Sequence, residues 1–371
     1  MIAERKDDHV RLAVEQQHGP GGRNQFDDVS FVHHALAGLD RPEVSLRTRF
    51  AGIEWPVPLY INAMTGGSAR TGVINRDLAI AARETGVPIA SGSMSAYFKD
   101  PSSADTFAVM RRENPDGFLM ANINATTTVD DARRAVGLLG ADALQIHLNT
   151  VQETVMPEGD RSFASWGPRI EEIAAGVDVP VIVKEVGFGL SRETVALLQK
   201  LGVRVADVGG RGGTDFARIE NGRRDGADYA YLDGWGQSTA ACLLDGQGAG
   251  IPLLASGGVR HPLDVARSLA LGAAAVGASG GFLKTLLDGG VSALVEQIST
   301  WLDHLAGLMT ALGARTPAEL TRCDVLVHGA LRDFCVDRGI DTRRTAQRSG
   351  FLNTTDRTTD RTMDRTTGST R

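Results

Sequence analysis

The chain has 371 residues, of which 42% are hydrophobic and 23% charged, and its formal net charge is −6. This composition is that of a globular protein, and the negative charge offers no basic surface for nucleic acid. Cys242, Cys323 and Cys335 are too far apart and too few for a disulfide framework or a structural zinc site, which fits a reducing compartment. No apolar run reaches the length needed to span a membrane, and no signal peptide is visible. We therefore expect a cytoplasmic protein that binds neither nucleic acid nor membrane.

The amino-terminal region predicts a helix over residues 4–17, with Val10, Ala13 and Val14 on one apolar face. Arg5 and Lys6 lie at its start, where cations oppose the helix dipole. An anionic partner would explain them, and a solvated charged terminus is the alternative. Residues 18–30 are typical of a glycine-rich loop.

Eight apolar segments then alternate with helical segments, and helix-capping signals follow several of them, at Thr128, Ser191 and His261. The predicted strands cover residues 57–64, 88–94, 118–124, 143–148, 179–186, 203–210, 252–258 and 273–280. Eight strands alternating with helices predict a parallel sheet closed as a (β/α)8 TIM barrel. An open doubly wound sheet is the alternative. The predicted domains are an N-terminal helical extension (residues 1–56) and the barrel with C-terminal helices (residues 57–345).

The other segments interrupt or follow this pattern. Residues 210–239 form a polar, glycine-rich insert that predicts either a mobile lid or an ordered excursion. Beyond the barrel we predict a helix over residues 291–313 and one or two more within 316–339. Residues 353–371 repeat Thr, Asp and Arg, and we predict a disordered tail over residues 346–371.

Polar residues share one face near the carboxyl ends of the predicted strands, where barrel active sites lie. The same-face pairs are Asn62 with Met64, Ser91 with Ser93, Asn122 with Asn124, Gln145 with His147, and Ile182 with Lys184. Asn149, Gln152 and Glu153 follow directly after the fourth predicted strand. One carboxylate among amide and imidazole groups suits Mg²⁺ with a phosphate ligand. A satisfied core histidine and a carboxylate at a helix start are the alternatives.

Two glycine-rich loops, residues 256–262 and 277–282, follow the seventh and eighth strands, a position where barrels bind phosphate. Glycines that only permit tight turns are the alternative. Lys184 lies within an apolar strand and should meet negative charge. The anionic edge of a reduced flavin, or a carboxylate of a neighbouring strand, would provide it.

Together these motifs resemble type 2 isopentenyl-diphosphate isomerase over roughly residues 5–339. The matching segments are RKDDH, INAMTGG, SGSMS, ANINAT, HLNTVQETVMPEGDR, IVKEVG, GRGGTDF, SGGVR and GASGG. The resemblance implies a flavoprotein that interconverts isopentenyl and dimethylallyl diphosphate without net redox change. It also implies reduced FMN, Mg²⁺ on the diphosphate, NADPH as reductant, and a homo-oligomer (tetramer or octamer).

The resemblance assigns roles to individual residues. The flavin contacts would be Met64, Thr65, Gly66, Ser93, Asn122, Lys184 and Thr214, and the FMN phosphate would be held by Gly257, Gly258, Arg260, Ala278 and Ser279. The substrate would meet Arg5, Lys6, Ser93, Ser95, His147, Asn149 and Gln152, with Gln152 and His147 as the catalytic pair and Glu153 on the metal. Many family members have arginine where this chain has Ser95, which puts one diphosphate contact in question, and Lys99 is a cation that could replace it.

A carbocation-like reaction needs a dry pocket, and an amide is a poor base, so we assign Gln152 to orientation and not to proton abstraction. An FMN-dependent 2-hydroxy-acid oxidase or dehydrogenase is the main alternative. Such enzymes carry a histidine after the sixth strand, which GGRGGTDFAR lacks. A phosphate-binding barrel without catalysis is a third possibility.

Overall fold

Eight parallel strands close into a barrel, which the sequence predicted. The computed structural model describes residues 2–16, 24–224, 226 and 228–349. Its strands are β1 Val29–Phe31, β2 Thr48–Phe50, β3 Ile53–Trp55, β4 Leu59–Ile61, β5 Ile89–Ser93, β6 Leu119–Asn124, β7 Ala143–Leu148, β8 Val181–Glu185, β9 Val205–Asp207, β10 Leu253–Ser256, β11 Ala273–Ala278 and β12 Val325–Val327. Strands β4 to β11 form the barrel in chain order, and β11 pairs with β4 to close it. The predicted TIM barrel is confirmed, and the open sheet is excluded.

Helices cover the barrel strands and extend beyond them. They are α1 Ile2–Gln16, α2 Ala69–Thr85, α3 Ser95–Lys99, α4 Asp105–Glu113, α5 Val129–Leu139, α6 Thr150–Val155, α7 Trp166–Gly176, α8 Arg192–Lys200, α9 Phe216–Asn221, α10 Thr239–Asp245, α11 Pro262–Ala270, α12 Gly280–Leu312 and α13 Gly329–Asp337. The predicted caps are present: Thr128, Ser191 and His261 each accept a backbone N–H at the start of a helix. No helix in the described ranges is both long and apolar enough to cross a bilayer.

The barrel is closed at the end where its strands begin. There the β2–β3 hairpin places Phe50, Ile53 and Trp55 against inward-facing side chains such as Met120 and Ile182, and Trp55 is completely buried. The opposite end, where the strands finish, is left for a site.

The C-terminal region differs from the prediction of one or two helices within residues 316–339. A short 3-10 turn (Pro317–Arg322) leads into β12, which pairs antiparallel with β1 before α13 begins. The helical prediction was wrong for β12, because a three-residue strand gains its hydrogen bonds from a partner about 300 residues away and has almost no local signal.

The long helix predicted from residue 291 is the second part of α12. This helix begins at Gly280 and is broken at Gly290, whose φ of 75° lies outside the helical region. The insert at 210–239 contains α9 and a short turn (Ala230–Leu232). Its mobility stays a prediction.

Two further predictions fall partly outside the described residues. Residues 18–23 of the predicted N-terminal loop lie outside the described part of the chain, as does residue 17 of the predicted first helix. Asn24 already caps a short turn (Gln25–Asp28) that leads into β1. The predicted tail began at residue 346, yet Arg348 and Ser349 both donate backbone hydrogen bonds to Asp324. Residues 350–371 lie outside the described part of the chain.

Candidate active site

A cavity of about 480 Å³ opens at the carboxyl ends of the barrel strands. Most of the predicted site residues line it. They are Met64, Thr65, Ser93, Ser95, Asn122, His147, Asn149, Gln152, Glu153, Lys184, Thr214, Gly257, Gly258, Arg260, Ala278 and Ser279. Strand exits far apart in sequence therefore meet at one place, as the shared faces predicted.

Gly66 is the exception among the predicted residues whose surroundings are described. It does not line the cavity, and a Cβ added there would lie 2.1 Å from the Phe107 ring. Its φ of +156° and this close approach explain why glycine is needed there. The side chains of Arg5 and Lys6 lie outside the described part of the structure, so their assignment to the diphosphate stays a prediction.

The start of α6 carries the predicted substrate and metal residues. Asn149 Nδ2 donates to Gln152 Oε1 over 3.3 Å and to Glu153 Oε1 over 3.0 Å. Glu153 Oε2 accepts the backbone N–H of Asp160 over 2.7 Å. In the described ranges, no group of three or more His, Cys, Asp or Glu side chains could hold a metal ion by itself. A single carboxylate fits a magnesium ion whose other ligands are water and the phosphates of a substrate.

Glu220 of α9 is a residue that the sequence prediction missed. It is completely buried and accepts a hydrogen bond from Gln152 Nε2 over 2.8 Å. His9 Nε2 lies 3.0 Å from the same Oε1 atom, and Arg223 contacts Oε2. Burial raises the pKa of Glu220, but the bonds from His9, Gln152 and Arg223 outweigh burial and hold that pKa below its ordinary value. As an acceptor, the carboxylate fixes which end of the Gln152 amide faces it.

Helix α1 lies over the mouth of the cavity and brings His9 and Val10 to its wall. Polar contacts of Asp7, His9 and Gln16 anchor α1 to the barrel loops. They join Ser68 Oγ to Asp7 Oδ1 (2.8 Å), His9 to Glu220 (3.0 Å), and Gln16 Oε1 to the backbone N–H of Asp215 (2.8 Å). The sequence could have pointed to His9, because it belongs to the RKDDH segment that matches the family. No sequence pattern pointed to Glu220, because it lies in an irregular insert.

The two predicted phosphate loops follow the neighbouring strands β10 and β11, and both line the cavity. At Gly257 the φ is +92°, and a Cβ there would lie 1.9 Å from the Gly210 carbonyl oxygen. Ser279 is the N-cap residue of α12, but its side chain accepts no hydrogen bond from that helix. The backbone N–H groups at the start of α12 therefore lie at the cavity without a side-chain cap. Uncapped N–H groups at a helix start fit a phosphate.

Arg260 lines the cavity, but its guanidinium is held by two carboxylates. It donates to Asp27 over 2.6 and 3.0 Å and to Asp264 Oδ2 over 2.9 Å. The Arg260 hydrogen bond is the main reason that the pKa of Asp27 falls to about 2. In this arrangement the Arg260 side chain stabilises the phosphate loop, and a direct phosphate contact stays a prediction.

The floor of the cavity contains a cation, a carboxyl group and an unsatisfied hydroxyl. Lys184 is buried, and its Nζ donates to the Glu185 carbonyl oxygen over 2.8 Å. Burial raises the pKa of Glu185 to about 7, although Phe188, Gly189 and Gly187 donate backbone N–H bonds to it. Thr65 Oγ1 is buried with no hydrogen-bond partner in the described ranges. A ligand with a polar edge would satisfy Thr65 and meet the Lys184 cation, as a flavin ring would.

The departure from the family pattern at Ser95 lies in the same wall. Ser93 Oγ donates to Ser95 Oγ over 3.2 Å, and Lys99 also lines the cavity. Lys99 and Ser95 therefore line the same cavity, and the replacement of the expected arginine by Lys99 stays a prediction.

The fold and the family comparison define the class of protein. The sequence profile of the family described as FMN-dependent dehydrogenase matches residues 102–326. Among solved structures, a flavocytochrome b2 with pyruvate bound has a TM-score of 0.62 at 19% identity, covering 85% of this chain and 80% of that one. A mandelate oxidase with an FMN adduct has a TM-score of 0.60 at 17% identity, covering 86% and 92%. The chain has the fold of an FMN-dependent barrel protein.

Closer relatives identify the family within this class. An isopentenyl-diphosphate delta-isomerase of Streptomyces sp. strain CL190 is 73% identical over 369 residues, covering 100% of this chain and 99% of that protein. One from Nocardia farcinica is 62% identical over 358 residues, covering 96% and 99%. One from Latilactobacillus sakei is 47% identical over 336 residues, covering 90% and 96%. The chain belongs to the FMN-dependent isopentenyl-diphosphate delta-isomerase family and is an isomerase, as the sequence motifs predicted.

Proposed function

We propose that this chain interconverts isopentenyl diphosphate and dimethylallyl diphosphate, using reduced FMN and Mg²⁺ and without net redox change. Relatives that bear the isomerase name at up to 73% identity support the reaction. The structural observation that carries the proposal is the buried contact between Gln152 and Glu220 at the cavity wall. This contact fixes an amide, not a base, beside the space where the alkene would lie.

Each group has a distinct part in this proposal. FMN, when bound and reduced, would supply an electron-rich face and a site for proton exchange beside the alkene. Lys184 would hold the flavin's negative edge, and the loops at Gly257 and Ser279 would hold its phosphate. Glu153 would bind the Mg²⁺ that neutralises the substrate diphosphate.

The protein would otherwise position the substrate and exclude water. His147 and Asn149 would bind the diphosphate, together with Arg5 and Lys6. Helix α1 would close the mouth, which protects a carbocation-like species from capture by water. NADPH as reductant and a homo-oligomeric assembly belong to the same proposal.

The test is an anaerobic incubation of the purified protein with FMN, NADPH, Mg²⁺ and isopentenyl diphosphate in D₂O, followed by proton NMR. Deuterated dimethylallyl diphosphate should appear, and it should not form when the flavin stays oxidised or Mg²⁺ is removed. Absence of double-bond migration with reduced flavin bound would refute the proposal.

A 2-hydroxy-acid oxidase or dehydrogenase is the second candidate, because the family profile that matches carries the dehydrogenase description. The residues after the sixth strand, GGRGGTDFAR, contain no histidine to accept a proton from a hydroxy acid. Bleaching of the flavin by a 2-hydroxy acid would favour this candidate, and we expect none.

A further inference from the structure

Five side chains inside the barrel form a continuous hydrogen-bonded path from Asp207 to His147. Asn62 Nδ2 donates to Asp207 Oδ2 over 3.2 Å, and Gln145 Nε2 donates to Asn62 Oδ1 over 3.5 Å. Asn122 Nδ2 donates to Gln145 Oε1 over 3.0 Å. The path ends at Asn122 Oδ1, which lies 2.9 Å from His147 Nδ1. A carboxylate deep in the barrel is thus linked to an imidazole in the cavity wall.

The strand register creates this path. Asn122 of β6 pairs directly with Gln145 of β7, and Gln145 and His147 share the inward face because they are two residues apart. Asn62 follows β4 and Asp207 ends β9, so the path crosses the interior between strands that are not neighbours. Such a path exists only in a closed barrel.

The Asp207 end fixes the direction of the donors. Tyr60 and Ser256 both donate to this carboxyl group, over 2.6 and 2.7 Å. Burial raises the pKa of Tyr60 well above its ordinary value, so the phenol keeps its proton. Independently, the backbone N–H of Ala63 donates to Asn62 Oδ1 over 2.8 Å. If the Asn62 amide were turned around, its NH2 group would face the Ala63 N–H, which is also a donor. Its oxygen would face the Asp207 carboxylate, which is also an acceptor.

The direction then passes through two buried amides. Gln145 is 0% exposed and Asn122 is 2% exposed, so a lost hydrogen bond at either amide is costly. Turning both amides would place Gln145 Oε1 against Asn62 Oδ1, two acceptors without a proton between them. Asn122 therefore presents its carbonyl oxygen to His147, and only a protonated Nδ1 can donate to it.

We propose that Asp207 is a positioning residue that acts through Asn62, Gln145 and Asn122 to hold His147 in the tautomer with its proton on Nδ1. The neutral ring then carries its lone pair on Nε2. The diphosphate contact of His147 rests on the proposed function, but the tautomer does not.

The test is ¹⁵N NMR of the full-length, FMN-loaded protein labelled at histidine. The His147 signals are identified by their loss in His147→Gln, and are recorded without substrate at a pH where this ring is neutral. In the wild-type protein, the neutral His147 ring should carry its proton on Nδ1. Asp207→Asn, which places a donor inside a set of donors, should lose that state in favour of a mixture containing Nε2–H.

Two further variants separate the path from general loosening of the barrel. Gln145→Met keeps Asp207 but cuts the path, and should give the same mixture, which also covers the case in which Asp207→Asn does not fold. Tyr60→Phe removes a donor to the same carboxyl group without touching the path, and should leave the proton on Nδ1.

A wild-type proton on Nε2 would overturn the proposal. So would an unchanged Nδ1–H signal in Gln145→Met, or an equal shift in Tyr60→Phe. Because no substrate is present, these outcomes are independent of whether the protein isomerises isopentenyl diphosphate.

Discussion

Replacing Glu185 with glutamine should stabilise the protein at alkaline pH and change its stability little at acidic pH. Burial raises the pKa of this carboxyl group from 4.5 to about 7 in the folded protein. Its contribution to stability is therefore present below pH 4.5 and is lost as the pH rises through about 7. At about 1.4 kcal/mol for each pH step, ionising Glu185 in the fold costs about 3 kcal/mol.

Glutamine removes this cost and keeps an acceptor for the three backbone N–H groups that Glu185 binds. The assay is thermal melting of the wild-type and variant proteins from about pH 5 to about pH 8.5. The variant should melt several degrees higher at the alkaline end, at roughly 2 °C per kcal/mol for a chain of this size.

A matched control is Glu172→Gln, at a carboxylate that is 56% exposed and pairs with Arg169. It should show no such pH-dependent gain. If Glu185→Gln melts at the same temperature as wild type at both ends, or lower at the alkaline end, then Glu185 is ionised throughout and the argument from burial fails.

Three other substitutions test the cavity. Glu220→Gln should lower isomerase turnover by roughly 100-fold, because it leaves Gln152 misoriented, while FMN binding measured by fluorescence titration stays unchanged; equal turnover would exclude the orienting role. Gly257→Ala should weaken FMN binding by about 10-fold or more, whereas Gly248→Ala, which has a similar positive φ of +81° but nothing within 4 Å, should not. Lys99→Met should raise the KM for isopentenyl diphosphate by about 10-fold with little change in kcat, and an unchanged KM would show that Lys99 does not replace the missing arginine.

The amino-acid sequence alone was sufficient to predict the barrel. Each barrel strand is a short apolar run followed by a helix with its own cap, such as Thr128 or Ser191, and these signals are local. The period of two along β7 also predicted that Gln145 and His147 share a face. Local patterns therefore pointed to cavity residues on several strands, among them Asn122, His147 and Lys184.

The contacts between those residues depended on the tertiary structure. The bond from Gln152 to Glu220, the Arg260 pair with Asp27, and the link from Asp207 to Asn62 join residues 68, 233 and 145 positions apart. The strand β12 was missed for the same reason, since its partner β1 lies at the other end of the chain. Sequence periodicity reports the face on which a side chain lies. Barrel closure and strand register determine what that side chain meets, and these long-range features leave no local signal.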